Sequence, residues 1–172
     1  PTRRTTSGRS DALRLQVIAA GRLKPGPEKL LAEDYLTRAQ GLGRKCGISK
    51  IAVTEFNESQ ASSATARMGE EGRVIAGALP AKCFTVVMDE RGKALASEAF
   101  AELLRRHLDG GTADMAFLIG GPDGHSPDLR ENAGLMMSFG PMTWPHRLVR
   151  VILFEQLYRA VTIIAGHPYH RV

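Results

Sequence analysis

The chain has 172 residues, 43% hydrophobic but only 6% aromatic, which suits one domain built around an aliphatic core. No apolar run is long enough to span a membrane and no segment resembles a secretory h-region. Cys46 and Cys83 are too few for a disulfide framework, so a reducing cytoplasm is expected. The net charge of +5 is a poor guide to a nucleic-acid partner, because Arg3, Arg4 and Arg9 supply three of those charges and leave only +2 for the rest.

Residues 1–12 are polar, lack large apolar side chains and read as a flexible arm. Their Arg- and Ser/Thr-rich, acid-poor character is also that of a transit peptide, but the stretch is short and shows no amphipathic pattern. From residue 13 to 172 a single domain is expected. Leu13–Ala20 is predicted as a strand closed by Gly21. A helix follows over 27–40, with Pro27 in its first turn and Leu30, Leu31, Tyr35 and Leu36 at helical spacing. Ile48–Phe56 is a second strand of imperfect alternation, and 62–78 is a helix weakened by Gly69, Gly72 and Gly77.

Phe84–Met88 is a continuous apolar run, as expected of a strand covered on both faces. Ser97 is the expected N-cap of a helix that presents Phe100, Leu103 and Leu104 and ends at Gly110-Gly111. Met115–Ile119 is another buried strand, then a short helix (127–132), a short strand (135–137) and a long helix (146–165) complete the chain. Such alternation predicts an α/β three-layer sandwich with a mostly parallel sheet.

Three segments after predicted strands are the candidate ligand loops, since the carboxyl ends of parallel strands are where ligands bind. They are 88–93 (MDERGK), 119–124 (IGGPDG) and 138–146 (SFGPMTWPH). Gly120 and Gly121 let the backbone approach a ligand or adopt positive φ, although a tight turn would need the same residues. The Walker and dinucleotide-binding spacings are absent, which counts against an enzyme that cradles a phosphate there. The third loop offers backbone groups with Phe139, Met142 and Trp144, a lining suited to an adenine ring or simply to a covered connection. Glu155 and Arg159 are spaced for a structural ion pair on the long helix, whose apolar residues cover more than one face, as in a core or a subunit interface.

After Gly166, a helix stop, the chain ends with His167, Pro168, Tyr169, His170 and Arg171. No Cys or acidic partner lies at ligand spacing from the two histidines, so no metal is expected. The cluster suits stacking on a base, clamping phosphate and moving a proton, while a solvated tail is the plain alternative.

Together these stretches resemble the ribosomal RNA large-subunit methyltransferase H family of SPOUT methyltransferases. The resemblance is carried by Leu118-Ile119-Gly120-Gly121-Pro122-Asp123-Gly124 and by Met142-Thr143-x-Pro145-His146 through Leu148-x-Arg150. Glu155 to Ala160, the terminal HPYHR, Met88 to Lys93 and Ser97-Glu98-x-Phe100-Ala101 add to it. Phe139-Gly140-Pro141 departs from the family, which often carries a small residue and no proline there.

The resemblance implies a C-terminal trefoil knot, a homodimer and S-adenosyl-L-methionine (AdoMet) as methyl donor. It further implies that Met88, Gly120 and Gly121 contact AdoMet and that Phe139, Gly140, Pro141, Met142, Thr143 and Trp144 wrap its adenine. Tyr169, His170 and Arg171 then stand beside the target base, N3 of a pseudouridine in 23S rRNA, on the assembled ribosome. His170 is the expected proton acceptor, Tyr169 orients the base, and Arg171 holds phosphate or a developing oxyanion. The competing expectation is a catalytically inactive ribosome- or RNA-binding module of the same fold.

Overall fold

The computed structural model of the chain describes residues 12–169. The elements run β1 (Leu13–Ala20), α1 (Pro27–Gly43), β2 (Ile48–Phe56), α2 (Ala64–Ala78), β3 (Phe84–Ala94), α3 (Ser97–Asp109), β4 (Asp114–Ile119), α4 (Pro127–Glu131), β5 (Leu135–Ser138) and α5 (His146–Ile164). The five strands form one sheet in the order β2-β1-β4-β3-β5, and every pairing is parallel. The expected arm falls almost wholly on residues 1–11, outside the described residues.

Apolar side chains explain the layering. On one face Leu15, Val17, Val86, Met115 and Phe117 pack under α1, α3 and α5; on the other, Ile18, Val87, Ala116 and Leu118 meet Ile75 of α2 and Leu129 of α4. The alternation of the strands sends their residues to opposite faces, and both faces are covered. All of β4 is buried, as its central place requires. The three layers match the α/β expectation.

Several details differ from the sequence expectation. In α1 the predicted apolar face is only half covered: Tyr35 and Leu36 pack against the core, but Leu30 is 69% and Leu31 46% exposed, and the fully buried positions are Ala32, Ala39 and Gly43. Small residues there let α1 lie close to the bulky α5. Ser97 does not cap α3. It is the first helical residue, Ala96 is the cap, and the Ser97 hydroxyl donates to Gln156 Oε1 of α5 at 2.8 Å. Ser63 caps α2, accepting from the Ala66 amide at 3.1 Å.

The segment 88–93 is not a free loop. β3 continues to Ala94, and after a register shift Lys93 and Ala94 pair with Met137 and Ser138 of β5. Gly92 makes this crossing feasible, because a Cβ there would stand 2.5 Å from the Met137 amide nitrogen. The Ser138 hydroxyl then donates to the Gly92 carbonyl at 3.0 Å. At the far end of α5, Gly166 takes φ +66 and the His167 and Gly166 amides donate to Thr162 and Ile163, a Schellman closure of the helix.

Candidate active site

A cleft of about 240 Å³ opens at the carboxyl ends of β3, β4 and β5. It is lined by Met88 and the residues that follow it in β3, by the whole 119–125 segment after β4, and by Phe139, Gly140, Met142, Thr143 and Trp144 after β5. The stretches singled out in the sequence therefore converge on one site. Of the expected cofactor residues, Met88, Gly120, Gly121, Phe139, Gly140, Met142, Thr143 and Trp144 line it, while Pro141 is an exposed member of the same loop.

The 120–124 segment is a closed turn. The Gly124 amide donates to the Gly121 carbonyl at 3.0 Å, and a Cβ on Gly120 would meet the Gly124 main chain at 2.9 Å. Close approach, rather than positive φ, is what Gly120 and Gly121 supply; in this turn the left-handed position is Gly124, at φ +84. Gly121 lies against the buried Glu71 carboxylate, whose Oε2 would be 2.8 Å from an added Cβ. Glu71 in turn accepts from the Ser59 amide at 2.9 Å. Asp123 is held by a two-pronged contact from Arg67, at 2.6 and 3.0 Å, and that guanidinium keeps the Asp123 carboxyl below the usual carboxylate range.

Beneath the turn, His125 is 2% exposed and lies near the main chain of Met88 and Leu118. Neither ring nitrogen makes a well-directed hydrogen bond, and burial holds the imidazole pKa below its ordinary value. Across the cleft Gly140 takes φ +102, with nothing within 4 Å of the space a Cβ would fill. Met142 and Trp144, 69% and 39% exposed, form an apolar rim.

A second polar group stands at the ends of β1 and β2, against the first turns of α5. Arg150, fully buried, donates to the Ala20 carbonyl at 2.8 Å, to the Gly21 carbonyl, and to Glu55 in an ion pair. Glu55 also accepts from the Leu23 amide at 3.2 Å. One turn earlier on α5, His146 lines the cleft with Glu58 Oε1 3.7 Å from its Nε2. Burial lowers the His146 pKa, Glu58 pulls it back up, and Arg150 and Arg147 press it down again. Sequence reasoning quoted His146 and Arg150 inside a motif without giving either a role, and missed Glu55, Glu58, Glu71, Arg67 and His125. Their one signal was Arg150, the single charge in the otherwise apolar stretch 148–154 of α5.

Of the expected catalytic tail only Tyr169 is among the described residues, and it does not line this cleft. Tyr169 packs on the outer part of α5, its ring 4.5 Å from that of Tyr158 and its centroid 5.2 Å from the Arg159 guanidinium. Its hydroxyl reaches Glu155 at 3.4 Å, and burial, the Tyr35 hydroxyl and the Glu155 charge push its pKa up to about 12. Glu155 and Arg159 make the expected ion pair, with Arg159 Nε donating at 3.0 Å. His170 and Arg171 lie outside the described residues. Among the described residues no cluster of His, Cys, Asp and Glu could hold a metal ion, Cys46 and Cys83 are free thiols, and no helix is long and apolar enough to cross a membrane.

Comparison with known proteins gives a consistent picture. Residues 13–170 match the family model described as predicted SPOUT methyltransferase. Proteins named ribosomal RNA large subunit methyltransferase H are similar along nearly their whole length. Those of Bradyrhizobium diazoefficiens and Rhodopseudomonas palustris are 51% and 52% identical, each over 92% of this chain and 99% of the relative. The Nitrobacter winogradskyi protein is 50% identical with the same coverage.

Proposed function

The chain belongs to the SPOUT methyltransferases, within the ribosomal RNA large-subunit methyltransferase H family, and from that premise we propose that it methylates N3 of a pseudouridine in 23S rRNA with AdoMet as donor. The observation that carries this reading is the single cleft formed by the segments after β3, β4 and β5. Its donor set fits AdoMet. Close-packed glycine backbone, the open face of Gly140 and the apolar Phe139, Met142 and Trp144 suit an adenosine, whose base edge main-chain groups can read. The unpartnered ring nitrogens of His125 lie at the floor of the same cleft.

When bound, the cofactor supplies an electrophilic methyl group on a sulfonium. The chain must hold the base in line, exclude water and accept the imide proton from N3. We assign Tyr169 to stacking on the base, Arg171 to a phosphate or a developing oxyanion, and His170 to the proton. Tyr169 is anchored beside Glu155 and Tyr158, roughly 14–18 Å along α5 from the His146 end at 1.5 Å per residue. A tail so placed serves the cleft of a second copy more readily than its own. A homodimer is therefore part of the proposal, with Leu148, Met142 and Trp144 as exposed apolar residues for the contact. The trefoil knot belongs to it as well, and so does action in the cytoplasm on the assembled ribosome, whose shape would supply the selectivity that one small domain lacks.

The inactive-module reading predicts a damaged cofactor cleft, and this one is intact. Titration calorimetry with AdoMet tests the difference. The proposal expects saturable binding with one site per chain; absence of heat from a folded protein would remove it.

A further inference from the structure

The polar side chains of the cleft are mostly committed to partners within the fold. Asp123 is tied to Arg67, and Asp89 faces Arg130 and accepts from the Arg91 amide. His146 differs. It is half-buried, lines the cleft on the side of β1 and β2 rather than β3 to β5, and has a carboxylate behind it. Glu58 lies over Gly21, where an added Cβ would stand 2.6 Å from its Oε1; Gly21 takes φ +77 and its carbonyl is held by Arg150.

At 3.7 Å the contact of Glu58 with His146 Nε2 is electrostatic rather than a direct hydrogen bond. It still favours the tautomer with the proton on Nε2, which leaves Nδ1 a lone-pair acceptor on a ring that lines the cleft. An acceptor that lines a methyl-transfer cleft can take a hydrogen bond from an N–H of the target base other than the one being methylated. In uridine N1 bears the sugar and carries no proton. In a C-linked uracil the sugar is on carbon, so both N1–H and N3–H are present.

We propose that His146, positioned by Glu58, is a specificity-determining residue that accepts a hydrogen bond from N1–H of the C-linked base while N3 takes the methyl. The inference rests on the methyltransferase reading and adds to it how pseudouridine is told from uridine. A half-buried acceptor left without its donor costs binding energy, so the uridine-containing substrate should be used less well. His146 is a positioning residue here, and the proton acceptor at N3 is a separate group.

The test is methyl transfer from AdoMet to two ribosome preparations, one with pseudouridine and one with uridine at the target position. For the wild type, kcat/KM should be roughly tenfold or more higher on the pseudouridine ribosomes, chiefly through KM. His146→Leu should bring that ratio close to one, and His146→Gln, whose amide oxygen can accept, should restore most of it. An unchanged ratio in His146→Leu overturns the proposal, whatever happens to the absolute rate.

Should His146→Leu be inactive on both substrates, the wild-type ratio is followed with pH. The charged groups around the ring are Glu58, Glu71, Arg147 and Arg150. Protonation of His146 removes the acceptor and burial lowers its pKa from the ordinary 6.5, so the ratio should hold above pH 6.5 and fall below it in step with the ring's own titration read by NMR; a ratio unchanged through that titration overturns the idea. Titration of groups that serve both substrates cancels in the ratio. If the wild type methylates neither preparation, the methyltransferase reading itself has failed, which is a different result.

Discussion

The two halves of the sheet end in different chemistry. After β3, β4 and β5 the cleft is walled by glycine backbone, apolar side chains and charged groups paired within the fold, such as Arg67–Asp123 and Arg130–Asp89. After β1 and β2 stand Glu55, Glu58 and the buried Arg150, charged groups that reach the cleft through His146 of α5. A main-chain wall suits a ligand that is always the same molecule. A wall of positioned side chains suits a partner that must be chosen. Under the proposed function, the difference assigns cofactor and substrate recognition to opposite sides of one cleft, with α5 carrying His146 and Arg150 between them.

Substitutions can break or sharpen that contrast. The largest effect is expected for Arg150→Ala, which leaves Glu55 and two strand-end carbonyls without their buried donor. Urea denaturation should show a loss of about 3–5 kcal/mol. Gly92→Ala attacks the other half, where the added methyl meets the β5 backbone. We expect a loss of about 2–4 kcal/mol together with loss of AdoMet binding by calorimetry, since displacing β5 moves the 139–144 loop.

The histidines give a smaller, pH-dependent effect. Burial lowers the pKa of His125 in the folded state below the 6.5 of an ordinary imidazole, so the unfolded chain binds the extra proton first. The stability this contributes is fully present above pH 6.5 and is lost as pH falls toward the lowered folded value. His107 and His146 act in the same direction. Melting temperatures measured from pH 8 to 5.5 should therefore fall less steeply for His125→Leu than for the wild type.

The smallest stability change is expected at the tail. Tyr169→Ala removes a partly exposed ring from Tyr158 and Arg159 and should cost about 1 kcal/mol or less, while methylation of ribosomes falls by an order of magnitude or more. A large loss of stability with activity intact would make Tyr169 a packing residue only.

Much of the fold could be read from the residues because local pattern governs it. β1 and β2 have the predicted bounds, and the glycine turn and the loop after β5 were marked by composition. What escaped depends on partners distant in the chain. β3 looked finished at Met88 because the residues after it are polar, yet Gly92 and β5 carry the strand on to Ala94. Leu30 and Leu31 looked like a core face because period reports amphipathicity and not which side is covered; small residues decided that. The half of the cleft after β3, β4 and β5 was legible in its loops. The Glu58–His146 and Glu55–Arg150 contacts were not, since nothing in β2 announces which residue of α5 it will meet.

The central claim is methyl transfer to ribosomal RNA, and mass mapping tests it most directly. Purified protein is incubated with AdoMet and intact ribosomes from cells lacking this activity, and the RNA is digested and sequenced by mass. The account predicts one added methyl, on a pseudouridine of the large-subunit RNA and on its ring nitrogen N3. A folded protein that binds AdoMet yet leaves that RNA unmethylated would contradict it.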